Sequence, residues 1–455
     1  MSRSPFPNHP PLATSTRAWQ FPEHARWTLP NGLEVVALPS RRLPAVRLRL
    51  ASLGGLAWEA TGVRGAASLA GTTTRHGAGA RDSAELAAHL DDLGARLRVG
   101  LSNDDHSVSI HALSEHTGPA FAALADLALR PTFPDDHLAR ERAKAIEARR
   151  HRRANPRALA GDWLGLRLYG AHPYGLPPTT EDELAAVGRA EVLRFHREVR
   201  VPQGSLLVAV GDLDPEQIRA LAAQHLGDWT GASAAAEAPA PPEDTGPRRV
   251  VLVHRPGAEQ AVISVGMLAL PRRHPDFLAA RLMNQVLGGA AASRLFTDLR
   301  ERRGLTYGCY SSLNGERHAG ELVVSLSCSA NNAAEALEAL FGHLERIRSE
   351  LVPEPELDAA RRYLVGAFPL AAMSLRGLSG LLRAAWLHGL PEGCWSAYAS
   401  ELGGLTADDV LQVARRLIHP DRAPVVVVGD ADALEATCAR WGPVERHASD
   451  QPPHR

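Results

Sequence analysis

The sequence predicts an α+β protein made of two homologous domains. Three observations support this prediction: the chain length, a domain-sized internal repeat, and a low-complexity segment between the two copies. The chain has 455 residues, of which 45% are apolar and 22% charged, so it is longer than one hydrophobic core usually supports. We therefore expect domains at 1–229 and 248–455.

The segment between these domains is TGASAAAEAPAPPEDTGP, residues 230–247. Small residues and prolines bury too little apolar surface to offset the entropy of folding. This segment therefore predicts a linker that divides the chain into halves of similar size.

The two halves repeat one another near their ends. EDELAAVGRAEVLRFHREVRVPQGSLLVAVGDLD aligns with ASELGGLTADDVLQVARRLIHPDRAPVVVVGDAD at an offset of 218, which pairs Pro202 with Pro420 and Asp212 with Asp430. Further upstream, FPDDHLARER and VPEPELDAARR align at an offset of 219. A repeat of this length indicates a duplicated domain, because solenoid repeats are far shorter.

Each repeated segment predicts a helix, a proline-marked turn and a buried strand. Apolar residues recur with helical spacing in both copies, at Val192, Phe195, Val199 and at Val410, Val413, Leu417. The runs LLVAV and VVVV then follow as short β-branched stretches. Strands mixed with helices in this way predict a layered α+β domain, formed twice.

Composition excludes several classes of function. A formal net charge of -1 gives no electrostatic case for binding nucleic acid or an anionic membrane. No apolar run has the roughly 18 to 20 residues of a membrane span, and the first residues do not resemble a secretory signal. The four cysteines have no CxxC spacing, which favours a reducing compartment. We expect a soluble, cytoplasmic protein.

Two motifs with possible chemistry are better explained as structural. HALSEH, from His111 to His116, separates its histidines by five residues, so that they do not share one helix face, and the preceding DDHSVSI predicts a strand. HPYGLPPTT, from His172 to Thr180, is rich in turn-forming residues and predicts a loop.

The strongest constellation is LGGAAASRLFTDLRERRGLTYGCYSSL, in the second half. The pattern predicts a helix that ends at Gly304 and a strand that begins near TYG. Arg300 and Tyr307 lie on either side of this break and could together bind a peptide backbone or stabilise an oxyanion. The residues alone leave open a second interpretation, an exposed arginine beside a half-buried tyrosine.

In these motifs the chain resembles the pitrilysin/insulinase family of zinc metallopeptidases, which includes the mitochondrial processing peptidases. The matching elements run from LPNGLEVVALP through HPYG and LRERRGLTYG to VVVVGDAD, in the order found in the family. The resemblance implies two homologous metallopeptidase-like domains, joined by the linker and facing each other like a clam shell.

The resemblance also implies that the zinc site is degenerate. Active members carry HxxEH where this chain has GAASLAGTT, so the two histidines and the glutamate fall on Ser68, Thr72 and Gly71. The third ligand falls on Ala148, with Glu147 one residue off the expected face. Neutral hydroxyls are poor zinc ligands and glycine cannot act as a base. The neighbouring arginines, at positions 149, 150, 152 and 153, would also repel a dication. We expect no metal on this chain.

In the family, an arginine and a tyrosine spaced like Arg300 and Tyr307 contact substrate near the scissile bond. Some members are heterodimers, in which one subunit carries the zinc and the other carries this pair. The resemblance thus implies a non-catalytic, substrate-binding subunit of a heterodimeric zinc metallopeptidase that acts on peptides or unfolded proteins. Zinc is expected in an HxxEH-bearing partner. The alternatives are an inert scaffold subunit and a peptide-binding homodimer without proteolysis.

Overall fold

The computed structural model describes residues 19–60, 62–231, 238–243, 246–451 and 453. It contains two six-stranded sheets, one in each half of the chain, and each sheet has helices packed against it. The predicted α+β class is confirmed. The described residues of the linker at 230–247 lie in neither helix nor strand, and its other residues are outside the described part. The domain boundaries stay a prediction.

The first sheet has the strand order β1-β2-β6-β3-β5-β4. Its strands are β1 (Ala25–Thr28), β2 (Glu34–Pro39), β3 (Ala45–Leu53), β4 (Arg96–Leu101), β5 (Asp105–Leu113) and β6 (Ser205–Gly211). The second sheet has the order β12-β7-β11-β8-β10-β9. Its strands are β7 (Val250–His254), β8 (Gln260–Ala269), β9 (Thr306–Gly315), β10 (Gly320–Ser329), β11 (Val425–Gly429) and β12 (Val444–Ala448).

The helices of the first half connect and cover these strands. They are α1 (Ala66–Thr73), α2 (Ser83–Asp92), α3 (Thr117–Leu129), α4 (Asp135–Ala154), α5 (Pro156–Tyr169), α6 (Glu181–Ala186), α7 (Arg189–Val199) and α8 (Pro215–Leu226). Those of the second half are α9 (Phe277–Leu287), α10 (Arg294–Phe296), α11 (Ala333–Ser349), α12 (Glu354–Ala371), α13 (Leu375–His388), α14 (Cys394–Gly404), α15 (Ala407–Leu417) and α16 (Ala431–Ala439). A π-helical turn, Thr297–Arg302, continues α10.

The duplication inferred from the sequence is visible in both topology and element boundaries. In each sheet the second and third strands are parallel, as β2–β6 and β7–β11, and the strands that follow are antiparallel. The predicted helices α7 and α15 begin and end 218 residues apart, and α5 and α13 begin and end 219 residues apart. Only the outer edge differs: β1 pairs antiparallel to β2, whereas β12 pairs parallel to β7.

The two halves exchange one helix each. Helix α5 belongs to the first half but packs on the second sheet, where Trp163 is fully buried in a cluster with Val251 and Val426. Helix α13 packs reciprocally on the first sheet, where Leu378 and Leu382 contact its apolar face. Truncating a buried tryptophan of this kind typically costs about 3–5 kcal/mol.

A buried polar junction also joins the halves. The Tyr174 hydroxyl, in the predicted HPYG loop, donates a hydrogen bond to Asp104 Oδ1 at 2.5 Å. The other carboxylate oxygen of Asp104 accepts from the backbone N–H of Arg317 in the second half, at 3.1 Å. Next to it, Arg383 of α13 forms a two-pronged ion pair with Asp105. The HPYG segment therefore has a structural role, as its turn-rich composition predicts.

Among the described helices, none is by itself long and apolar enough to cross a membrane. The pair α12 and α13 passes the length and composition criteria only when taken together, and these two helices meet at a bend of 111°.

Candidate functional site

Helix α1 holds Ser68, Gly71 and Thr72, the positions at which the family pattern HxxEH has its first histidine, its glutamate and its second histidine. The helix begins after Gly65, whose φ of 89° is in the left-handed region that favours glycine. The Glu59 carboxylate accepts hydrogen bonds from the backbone N–H groups of Gly65 and Ala67, at 2.9 and 2.8 Å, and so caps the helix start. Burial raises the pKa of Glu59, and these hydrogen bonds oppose that shift.

The small residues of α1 let most of the helix pack closely against its neighbours. Ala66, Ala67, Leu69 and Ala70 are buried in a cluster with residues of α4 and α7. Ser68 and Gly71 are half-buried, and Thr72 is exposed. Ser68 and Thr72 stand four residues apart on one helix face, as the two histidines of HxxEH would. The helix therefore keeps the geometry of the family site.

The chemistry of these positions does not fit zinc. Ser68 and Thr72 offer only neutral hydroxyls, and the Thr72 hydroxyl donates to the carbonyl oxygen of Leu69 at 3.3 Å. Gly71 has no side chain to act as a base. Ala148 is exposed on α4, and the neighbouring Glu147 carboxylate is also exposed, at 3.2 Å from His151. The residues needed for a metal and a base are absent from all four positions.

The strongly basic environment predicted near the end of α4 needs a correction. The sequence suggested an uncompensated basic environment, but three of the four arginines form ion pairs. Arg150 and Arg153 both contact Glu181, and Arg152 contacts Asp162 at 2.9 Å. These two carboxylates offset about half of the charge of the four arginines. The lack of ligands is by itself sufficient reason that zinc does not fit.

Two other clusters of histidine and carboxylate side chains lie in the described chain, and only the second brings three ligand atoms close enough to share an ion. Close to α1, the His76 and His137 rings stack at 4.3 Å, and His76 Nε2 lies 3.4 Å from Glu141. In the second half, His254, Asp430 and Asp432 place their ligand atoms within 4.8 Å of one another.

The second of these groups is explained by helix capping. Asp430 accepts from the backbone N–H groups of Gly257 and Asp432, at 2.9 and 3.1 Å, and so caps α16. Asp432 is paired with Arg446 at 2.8 Å. These carboxylates already have partners within the fold, so we assign the group a structural role.

Arg300 lies on the π-helical turn that follows α10. This turn ends at Arg302, two residues before the predicted end at Gly304, where φ is 65°. The Arg300 guanidinium is exposed and lies over the Phe296 ring, with its carbon 5.0 Å from the ring centroid. Among the described residues Arg300 has no ion-pair partner, so its donors are available to a ligand. A π-helical turn inside a helix is often found at a functional site.

An ionic network holds this turn in place. Asp298 contacts His343 of α11 at 3.0 Å and Arg303 at 3.1 Å. Burial alone would raise the pKa of Asp298, but these hydrogen bonds keep it below its usual value. The carboxylate therefore stays charged, and the turn is anchored while Arg300 points outward.

Tyr307 is the second residue of β9, the free edge of the second sheet. Tyr307 is 91% exposed. The alternative interpretation of the sequence, in which its ring is half-buried, is therefore wrong. Three residues on, Tyr310 packs on Phe296 with ring centroids 5.2 Å apart. Phe296 thus supports both the Arg300 guanidinium and the start of β9. The sequence analysis missed this role, although FTDLR places Phe296 one turn before Arg300.

The structure brings Arg300 and Tyr307 to neighbouring elements, because the π-helical turn packs against β9. Helix α1, by contrast, packs on α4, α7 and β4 in the other half. No hydrogen bond, ion pair or ring contact in the described chain links Ser68, Gly71 or Thr72 to Arg300 or Tyr307. The second half of the chain therefore presents hydrogen-bond donors that a peptide could use, and the first half presents a helix that lacks metal ligands.

This combination defines a peptidase-like chain with a duplicated α+β fold and without the residues of a catalytic metal site. Residues 35–178 match the family described as Insulinase (Peptidase family M16), and residues 186–364 match the one described as Peptidase M16 inactive domain. The chain belongs to the pitrilysin/insulinase family. The inactive-domain match and the substitutions in α1 together support a non-catalytic member.

Several known proteins are similar to this chain. An uncharacterized zinc protease of Mycobacterium tuberculosis is 28% identical over 353 residues, which are 76% of this chain and 79% of that protein. One of Streptomyces coelicolor is 25% identical over 432 residues, covering 90% and 91%.

Solved structures agree on the fold. The crystal structure of a peptidase M16 inactive domain from Pseudomonas fluorescens has a TM-score of 0.83 at 27% identity and covers 90% of this chain and 98% of its own. A protease from Helicobacter pylori has a TM-score of 0.82 at 20% identity, with 90% and 99% covered, and supports the fold alone.

Proposed function

We propose that this chain is the substrate-binding subunit of a two-chain zinc metallopeptidase that acts on peptides or unfolded proteins. The observation that carries the proposal is the exposed pair Arg300 and Tyr307 in a chain whose own metal positions lack ligands. A side chain as exposed as Tyr307, on a free strand edge, contributes little to folding stability. Its exposure is consistent with a role in binding a second molecule.

The two side chains suit different parts of a peptide. The Arg300 guanidinium is a rigid fork of donors, which matches one or two backbone carbonyl oxygens of an extended peptide. The Tyr307 hydroxyl is a single donor on a rigid ring and would hydrogen bond to a carbonyl oxygen as that oxygen gains charge. Phe296 limits the motion of Arg300, so less conformational entropy is lost on binding.

The zinc and the general base would come from a homologous partner that carries HxxEH. We place the pair of chains in the cytoplasm, because all four cysteines are free and three of them are buried. No catalytic step is assigned to Ser68, Gly71, Thr72 or Ala148.

The test uses the full-length chain purified alone and together with an HxxEH-bearing homologue from the same source. Cleavage of an unstructured fluorogenic peptide should require both chains and zinc. Arg300→Ala and Tyr307→Phe should each lower kcat/KM of the pair by about tenfold to a hundredfold, the effect of losing one or two hydrogen bonds to substrate.

Matched controls are available in the same half of the chain. Arg302→Ala removes an exposed arginine from the same turn, and Tyr363→Phe alters a tyrosine that is 57% exposed elsewhere. Both should leave kcat/KM within about twofold. Zinc-dependent cleavage by the chain alone would contradict the proposal. Full activity of the Arg300 and Tyr307 variants would instead favour a scaffold, and capture of unfolded protein without a partner would favour the binding homodimer.

A further inference from the structure

One face of the first sheet carries a cluster of basic residues that the peptidase assignment does not use. Arg47 on β3 lies directly across from His111 on β5, which lies across from Arg96 on β4. The next row on the same face contains Arg98 on β4. The opposite face of these strands carries the apolar core, with Leu48, Val108 and Ile110 among its members. The basic residues therefore stand together on the face away from this core.

These residues line a cavity of about 550 Å³ between the sheet and the start of α13. We call it the basic cavity; its charged or titratable lining residues are Arg42, Arg47, Arg96, Arg98, His111 and Arg376. No described acidic residue lines it. Ser374 caps α13 and is also part of the lining, so the positive end of a 14-residue helix adds to the field.

The arginines of the basic cavity lack acidic partners. Arg47 is only 5% exposed, its Nη2 donates to Ser109 Oγ at 2.9 Å, and its buried Nε has no hydrogen-bond partner in the described chain. Arg96, Arg98 and Arg376 likewise form no ion pair with described residues. Burial, followed by the charges of Arg376 and Arg98, lowers the pKa of Arg47. A buried guanidinium such as that of Arg47 is costly without a counter-ion, and a bound anion would remove that cost.

The other half of the chain shows that the fold itself does not require this charge. The strand registers place Val262 and Ser327 of the second sheet at the positions of Arg47 and His111. One row further along, Ser325 and Tyr310 occupy the positions of Ser109 and Arg98. The second sheet has the same topology with neutral residues at these places, so the fold does not depend on arginines there.

We infer that the basic cavity binds a small polyanion with two or more phosphate-type groups. Arginine forks match phosphate oxygens, and several converge here from two strands, one loop and one helix end. A half-open cavity of about 550 Å³ with one nearly buried arginine at its wall suits a compact ligand, whose charges lie close together. An acidic polypeptide would distribute single charges along an extended chain and would favour an open groove. The inference concerns this chain alone and does not depend on the peptidase partnership.

The experiment uses the full-length chain and inorganic tripolyphosphate, titrated by calorimetry at low ionic strength. One site per chain is expected, with an affinity that falls as NaCl is added. Arg96→Gln with Arg98→Gln should weaken binding by at least about tenfold, and Arg376→Gln by about threefold or more. All three side chains are exposed, so these variants should fold, which circular dichroism checks.

A matched control is Arg157→Gln with Arg440→Gln. It removes the same charge from two exposed arginines outside the basic cavity and should change affinity by less than about twofold. ATP is titrated in parallel. Equal affinity for ATP would support a nucleoside triphosphate as the ligand. Binding of ATP at least tenfold weaker than that of tripolyphosphate would support an inorganic polyphosphate. An equal loss in the control pair, no binding of tripolyphosphate, or binding of hexaglutamate alone would overturn the inference.

Discussion

The ion pair between Arg383 and Asp105 should be a large contributor to the stability of the whole chain. Asp105 is 1% exposed, and Arg383 approaches it from the exchanged helix α13, with Nε 2.6 Å from Oδ2. Arg383→Met would leave a buried carboxylate without its counter-ion. Removal of one partner of a buried pair typically costs about 3–5 kcal/mol, a large part of the roughly 5–15 kcal/mol of a native protein.

The double variant Asp105→Asn with Arg383→Met should recover part of this loss. It removes both charges, so that no unpaired carboxylate remains, and should cost about 2 kcal/mol less than Arg383→Met alone. The assay is urea unfolding at pH 7, followed by far-ultraviolet circular dichroism and tryptophan fluorescence. Coincident transitions by the two probes would show that the halves unfold together, as their exchanged helices require.

A control for this experiment lies on the same helix. Arg376→Met makes the same substitution at an exposed position without an acidic partner and should not destabilise the chain by more than about 0.5 kcal/mol. If Arg383→Met costs less than about 1 kcal/mol, or no more than the control, the junction does not hold the halves together in the way described.

The remaining predictions concern pH, α1 and zinc. Burial and the Arg200 charge lower the pKa of His196 from 6.5 to about 4, so the unfolded chain takes up this proton first. Stability should therefore fall by up to about 3 kcal/mol as pH drops from about 6.5 to about 4, and urea unfolding of His196→Gln should show a smaller fall. Gly65→Ala should lower Tm more than Gly94→Ala. Both glycines have positive φ, but only at Gly65 would an added Cβ meet another side chain, that of Leu184 at 2.9 Å. Equal shifts in Tm would refute this. The chain with Ser68→His, Thr72→His and Ala148→Glu would supply three ligands and, dialysed against micromolar zinc, should retain one more zinc than wild type by atomic absorption; an equal zinc content would refute the geometry assigned to these positions.

Local periodicity was sufficient to predict many individual elements. Helices α7 and α15 and the strands that follow them, β6 and β11, were predicted because a helical or β-branched pattern is contained within one element. The break near Gly304 was predicted to within two residues for the same reason, since a glycine with positive φ is a local signal. The π-helical form of the turn was not predicted.

Contacts between distant residues could not be predicted in this way. The apolar face of α5 is visible in its sequence, but that pattern does not reveal that the face covers the sheet of the other half. The spacing RLRL on β3 and RLRV on β4 puts arginines on alternate positions of each strand. Only the register through β5 brings those arginines to one face, where Arg47, Arg96 and Arg98 line one cavity.

Chemistry that depends on residue identity was therefore decided by the sequence: α1 has no zinc ligands in any packing, because Ser68, Gly71 and Thr72 cannot supply them. The duplication is equally a matter of sequence, since an alignment needs no coordinates. Exposure, ion pairing and the exchange of α5 and α13 were decided by tertiary structure. These properties depend on which surfaces meet across more than a hundred residues of chain, and no local pattern contains that information.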